Sequence, residues 1–305
     1  MKHLTNNPAH KLALVLGSGG VRSVAALGIT QRLAEEGVRP GLIAGCSSGA
    51  LFGATIAMGL DAQEALRLAT RLWSPELTQQ RRWRAYAQMI LPRLAGFGDS
   101  FAMRDDALIA RRIADAFGDL RLEQLPTPLR VATTHAVSGD PVVLRRGRLA
   151  DALRASMAVP IIFPSVEIEG RRLVDGVLSD PLPIGAAHDA DVVLTLGFTG
   201  QMPRRVDRLS RLVAQTSTTL INNLMNARTA AARAAGQQVI SIDLVLDRHV
   251  GLWDTSAMPY LFDAGRAAAQ AALPRITAAL ERQAVPQRRL RPVTPHTAFA
   301  FSTPD

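Results

Sequence analysis

Residues 43–54, IAGCSSGALFGA, set one thiol and two hydroxyls between glycines. Gly45-Cys46-Ser47-Ser48-Gly49 fits the G-x-S-x-G pattern with Ser47 at its centre. In that pattern a sharp strand-to-helix turn lifts the central side chain into a strained, exposed position, and small flanking residues allow the close packing this needs. The free N–H groups and positive dipole end of the following helix then face the hydroxyl. Acyl transfer through a serine nucleophile is the chemistry such a turn serves. The same residues also suit an ordinary glycine-assisted turn whose serines cap a helix, so the pattern alone leaves both readings open. Position sorts the three nucleophiles. Ser47 takes the elbow, Ser48 opens the helix where a hydroxyl caps backbone amides, and Cys46 points toward packing as a small buried hydrophobe.

A serine nucleophile needs a base and donors for the developing oxyanion. GSGGVRS, Gly17 to Ser23, offers the donors: its glycines let the backbone approach a ligand and aim N–H groups into a concavity. Gly17, Ser18, Gly19, Gly20 and Arg22 are the candidate oxyanion residues. The stretch is not a dinucleotide fingerprint, which would need glycine at Arg22, and it lacks the G-K-[ST] ending of a phosphate-binding Walker loop.

These segments need elements to hold them. LALVL, residues 12–16, is a short apolar run ended by Gly17, which suits a buried parallel strand. A helix follows from Val24, with Gly37 and Pro40 as stop signals. LIAG and GALFGATIAMGL then read as strand and helix, and the strand-helix-strand-helix order predicts a parallel sheet covered by helices. Residues 61–124 read as helical. PLRVATTHAV and DPVVLRRG are predicted strands, LADALRASMAV a helix, SVEIEGRRLVDG a hairpin turning at Glu169-Gly170, and DVVLTLGF a buried strand. QQVISIDLVL and YLFDAGRAAAQAALPRITAALERQ read as a last strand and a long helix. The expected fold is a single three-layer α/β/α sandwich on a mostly parallel sheet. One domain spans residues 10–275, followed by a helix end and loosely packed tail over 276–305.

GSGGVRS, GCSSG and VDG in this order resemble the patatin-like phospholipase family, over roughly residues 10 to 200. RASMAVPIIFPSVEIEGRRLVDG and DPLPIGAA are similar to the family's run around its catalytic aspartate. The resemblance implies hydrolysis of lipid acyl esters by a Ser–Asp dyad without metal or cofactor. Ser47 would be the nucleophile, Asp175 the base and Gly17 to Arg22 the oxyanion loop, with Gly45 and Gly49 framing the elbow. The chain departs from the family at Ser18 and Ser23, where glycines are usual, and at Val177, where a second glycine is common. Ser23 would force a shift if its φ had to be positive.

An unperturbed aspartate, pKa about 3.9, is a weak base for a hydroxyl, and burial would raise it. Taken alone, Asp175-Gly176 is equally a hairpin turn pair, and Asp180 in SDPLP is a rival carboxylate. A triad esterase would run serine, acid, histidine, an order that Ser47, Asp175 and His188 or His249 satisfy; His135 reads as a packing or surface residue. A lipid- or partner-binding protein with a spoiled oxyanion loop is a further alternative.

The 305 residues carry a net charge of +9, nearly all of it from arginine, since Lys2 and Lys11 are the only lysines. Either a compositional bias or attraction to phosphate-bearing surfaces accounts for this. The arginines are scattered and aromatic residues make up 5%, which disfavours a nucleic-acid partner. Cys46 is the only cysteine, so no intrachain disulfide forms, which fits a reducing compartment. No apolar run reaches membrane-span length. The expectation is a soluble cytoplasmic protein with a lipid acyl ester as substrate. RRWRAYAQMILPRLAGF, residues 81–97, reads either as a helix docking on anionic membrane or as one burying its apolar stripe in the protein. Oligomeric state is not encoded legibly.

Overall fold

The computed structural model describes residues 12–78, 82–91, 94, 98, 101–200 and 205–284. The chain opens with β1 (Leu12–Leu16), α1 (Ala25–Glu35), β2 (Leu42–Cys46), α2 (Ser48–Ala57) and α3 (Ala62–Leu72). Next come α4 (Trp83–Ile90), α5 (Ala107–Phe117), β3 (Leu129–His135), β4 (Pro141–Leu144) and α6 (Leu149–Ser156). Then β5 (Val166–Ile168), β6 (Arg171–Asp175), β7 (Val192–Leu196), α7 (Leu209–Ala234), β8 (Gln238–Ser241) and α8 (Met258–Ala284) complete the order. The sheet runs β5-β6-β3-β2-β1-β7-β8, with β4 also paired to β3. Strands β3, β2, β1, β7 and β8 are mutually parallel; β4, β5 and β6 form the antiparallel part.

Both faces of the central strands are covered, which is why β1, β2 and β7 are continuous apolar runs. Side chains alternate across the sheet. Leu12, Leu14 and Leu16 enter the larger core with α1, α2, α5, α6 and α8. Ala13 and Val15 enter the thinner one, closed by a 3-10 turn at Ile184–Ala187 and by Met225 of α7. The three-layer sandwich is therefore present but lopsided.

The hairpin between β5 and β6 turns at Glu169 and Gly170, both at positive φ (51° and 71°), the pairing such a two-residue turn requires. Helices α1 and α8 cross at two glycines: a Cβ at Gly28 would lie 1.9 Å from Phe262 O, and one at Gly265 2.1 Å from Ala25 O. Helix α8 continues past Pro274 to Ala284, and Ile276 and Ala279 are buried in the main core. Residues 276–284 are the end of this helix, and 276–279 pack with the domain. The tail, 285–305, lies outside the described residues. So do Arg81 and residues 92, 93 and 95–97 of the basic aromatic segment. Two elements depart from expectation. Helix α7 occupies a stretch to which the sequence pattern assigned nothing, and β8 stops at Ser241, short of the apolar LVL that follows. No described helix is long and apolar enough to cross a membrane.

Candidate active site

β2 ends at Cys46 and α2 begins at Ser48, so Ser47 alone makes the turn between them. Its φ of 55° and ψ of −125° are unusual for a residue with a side chain, and only Ile161 and Glu169 share a positive φ among described non-glycine residues. Such backbone strain costs about 1–3 kcal/mol and must be imposed by neighbours. Gly45 and Gly49 permit it by having no Cβ: one at Gly45 would meet Ala50 Cα at 2.5 Å, and one at Gly49 would meet Leu16 O at 2.4 Å. Ser156 enforces it. Its buried hydroxyl accepts the Ser47 N–H at 2.8 Å and donates to Ala132 O on β3 at 2.7 Å.

Asp175 stands at the end of β6, opposite Thr133 of β3, one residue beyond the level where β3 pairs with Cys46. Its N–H is held by Ala158 O at 3.0 Å. Residues 156–158 therefore fix the backbone of Ser47 with one group and that of Asp175 with another. The Asp175 carboxylate is fully buried. Oδ1 accepts the Val177 N–H at 2.8 Å and the Cys46 thiol at 3.6 Å. Oδ2 makes no hydrogen bond of good geometry, while the Ser47 hydroxyl is a hydrogen-bonding neighbour of the carboxylate. Loss of water on burial raises the Asp175 pKa to about 6, against the lowering influence of Ser47, Val177 and Cys46.

Cys46 does pack inward, as its apolar surroundings predict, but it also bonds the carboxylate. Burial first, then the charges of Asp175 and Asp180, push its pKa well up, so it remains a neutral donor and not a thiolate. Asp180, the rival carboxylate, is also raised to about 6 by burial, offset by Arg228. Arg228 Nε lies 4.0 Å from its Oδ1, and the same guanidinium donates to Ser179 O at 3.1 Å. Asp180 thus answers to an arginine, and Asp175 to the serine hydroxyl.

The glycine-rich loop lies beside the elbow, but its amides are not all open. The Gly17 N–H is bonded to Leu196 O at 2.9 Å and that of Ser18 to Pro181 O at 3.1 Å, which corrects the expectation that the whole stretch offers free donors. Their bonds anchor the loop to the ends of β7 and of the turn after Asp175. The Gly19 N–H points to Ser48 Oγ at 3.1 Å. Gly20, at φ 61°, opens a 3-10 turn, the position where an N–H has no acceptor within the turn. Arg22 shapes the loop with its side chain, donating Nε–H to Gly19 O at 3.2 Å and lying 5.2 Å over the Phe198 ring.

The two serines that replace family glycines, or flank the elbow, do more than the sequence indicated. Ser48 does not cap its own helix; its hydroxyl bridges Gly19 N–H and Ser23 Oγ, the latter at 3.0 Å. Ser23 has no positive φ and its hydroxyl reaches Gly17 O at 3.4 Å. Loop and elbow are thereby laced together by side chains. Ser156 and Phe198 carried no spacing signal toward Ser47; only contacts between distant segments reveal them, as they reveal the Ser48–Ser23 bridge. The described histidines stay apart from Ser47 and Asp175 in their contacts. His135 bonds Ser138, His188 bonds Gly185 O, and His249 is exposed.

The patatin-like phospholipase family profile matches residues 14–188. The chain is 34% identical over 218 residues to an uncharacterised NTE-family protein of Mycobacterium tuberculosis, covering 68% of this chain and 57% of that one. It is 28% identical over 193 residues to the neuropathy target esterase of Drosophila melanogaster, covering 61% of this chain and 13% of that protein. The chain thus spans little more than half of the mycobacterial relative it matches. Among solved structures, VipD from Legionella pneumophila aligns at a TM-score of 0.44 and 14% identity, over 87% of this chain and 67% of that one.

Proposed function

Because the chain belongs to the patatin-like phospholipase family, we propose that it is a serine hydrolase of lipid acyl esters working through Ser47 and Asp175. The observation that carries this reading is the meeting of a strained elbow serine with a buried, water-stripped carboxylate from a distant strand.

Asp175 takes the hydroxyl proton as Ser47 Oγ attacks the ester carbonyl. A carboxylate with a pKa near 6 is a stronger base than an exposed aspartate and is still ionised at neutral pH. Its unsaturated Oδ2 is the atom that receives the proton, and the Ser47–Asp175 bond tightens once substrate displaces the resting geometry. Negative charge growing on the carbonyl oxygen is met by the Gly20 N–H and the first amides of α2, which have no acceptor inside their own turn or helix. Collapse of the tetrahedral intermediate expels the alcohol, which recovers the proton from Asp175, and leaves an acyl-Ser47. Water then attacks that ester, with Asp175 again as base, releasing the fatty acid and regenerating the hydroxyl.

A fluorophosphonate probe should label the protein and fail to label Ser47→Ala. A panel of acyl esters assayed alongside should show turnover lost in Ser47→Ala and in Asp175→Asn. Labelling that persists in Ser47→Ala would move the nucleophile elsewhere.

A further inference from the structure

Helix α7 is built inside out. At about 100° per residue, Leu209, Leu212, Val213 and Leu220 fall within one arc of roughly 100°. Thr218, Asn222, Met225 and Thr229 fall on the opposite side. The polar side is the one that meets the protein. Asn222 exchanges hydrogen bonds with Gly200, its Oδ1 accepting the N–H at 2.9 Å and its Nδ2 donating to the carbonyl at 3.0 Å. Met225 is the one buried residue of the helix, set against Gly197. The apolar side faces outward: Leu209 is 76% exposed, Leu220 64%, Val213 49% and Leu212 48%. Ordinary amphipathic helices place these faces the other way round.

The stripe also sits in a particular place. Met225 is level with Gly197, the first residue beyond β7, and Ala232 O receives the Gln237 N–H just before β8. The helix therefore runs antiparallel to the strands, and residues 209–224, about 24 Å of helix, lie beyond the level of their carboxyl ends. That is the edge at which Ser47, the glycine loop and Asp175 lie. Leu178, Ile161, Ile162 and Leu252 are also exposed around that edge, and α4 turns Trp83 (75% exposed) and Ile90 (77%) outward while burying Ala85 and Gln88. Leu252 O holds the Val21 N–H of the loop, and Ile161 and Ile162 carbonyls hold residues 103 and 104 behind α4.

Charge chooses the occupant. From Leu212 to Ala227 the helix carries no charged residue, and Thr216 and Asn223 are the polar side chains that share the outward arc with the leucines. Arg205, Arg208 and Arg211 stand at its outer end, with Asp207 paired to Arg208 and Arg211 among the described residues, within a chain of net charge +9. Exposed leucines bordered by arginines fit an interface of acyl chains under anionic headgroups. We propose that the outward stripe of α7 docks the protein on an anionic lipid surface, setting the rim of the Ser47 site against it. The proposal rests on the acyl-ester reading above, for which the surface would deliver substrate.

The test uses the full chain with vesicles of phosphatidylcholine, with or without phosphatidylglycerol. Leu212→Glu/Leu220→Glu should lower partition onto the anionic vesicles by about tenfold or more, since both apolar contact and charge attraction are lost. Ala271→Glu/Gln283→Glu, which places the same charges on exposed positions of α8, should change it by less than about twofold. Both variants should keep wild-type thermal unfolding and hydrolysis of a water-soluble short-chain ester. A wild-type protein that ignores both vesicle types, or a stripe variant that partitions like wild type, overturns the docking surface. So does a wild-type dimer in sedimentation velocity that the stripe variant dissolves while vesicle partition is unchanged, because a second copy then covers the stripe. If the stripe variant loses vesicles but even the wild type hydrolyses no ester, the docking surface stands and the hydrolase reading falls.

Discussion

Asp175→Asn should stabilise the protein while silencing it, and the gain should depend on pH. The side chain keeps its shape, and its Oδ1 still accepts from Val177 N–H and the Cys46 thiol. What disappears is the charge. In the folded protein the carboxyl pKa is raised from 3.8 to about 6, so the native state holds its proton more tightly than the unfolded chain does. Stability therefore falls as pH climbs through that window and levels off above it. The displacement from 3.8 to about 6 is roughly two pH units, and about 1.4 kcal/mol per unit makes the cost near 3 kcal/mol at pH 8. Asp180 titrates in the same range but is common to both proteins, so it drops out of the difference to first order. Urea unfolding of both proteins at pH 4 and pH 8 measures it. The variant's advantage should be small at pH 4 and reach roughly 2–3 kcal/mol at pH 8, with ester hydrolysis abolished at both. An advantage that is equal at the two pH values, or a variant that is less stable at pH 8, would refute the idea that this carboxylate is ionised against its surroundings.

Three further outcomes follow from the same contacts. Ser156→Ala strands the Ser47 N–H and Ala132 O in the interior and should cost about 2–4 kcal/mol in urea unfolding. It should also slow fluorophosphonate labelling, with Ser156→Thr restoring part of both; a loss below about 0.5 kcal/mol with unchanged labelling would show that the elbow holds itself. Cys46→Ala removes a donor that lowers the Asp175 pKa, so the acid limb of kcat/KM should move to higher pH; an unmoved limb would deny the thiol any part in setting the base. His135→Ala, His188→Ala and His249→Ala should each retain most of the ester hydrolysis, and one as inactive as Ser47→Ala would return the case to a triad.

Much of this architecture is legible in the order of residues because the relevant physics is local. LALVL and VVLTL are apolar on both faces because both faces are covered, and the hairpin turns at Glu169-Gly170 because glycine takes the positive φ of its second position without steric cost. The elbow at Ser47 announces itself through flanking glycines whose absent side chains are a steric necessity. Other features escape for equally physical reasons. Pattern reading assumes that apolar stripes face inward, and α7 inverts the rule, so periodicity would have assigned its exposed face to the core. The Ser156 relay, the Ser48–Ser23 bridge and the thiol bonded to Asp175 join segments whose separation in the chain carries no spacing rule. The amides of Gly17 and Ser18 looked available because nothing local consumes them; their acceptors, Leu196 and Pro181, come from far downstream.

The crossing of α1 and α8 has a consequence for biosynthesis. The 3-10 turn that carries Gly20 runs straight into α1, and α1 is seated by Gly28 and Gly265 against the last helix. During translation the segment around residue 20 emerges early, yet the surface that clamps it is made among the final residues described, 258–284. Until the ribosome has released that helix, the nascent polypeptide can possess both the hydroxyl and the carboxylate while lacking a stiff cradle around the reacting oxygen. The proposed oxyanion loop therefore gains its support only once residues 258–284 have folded against α1.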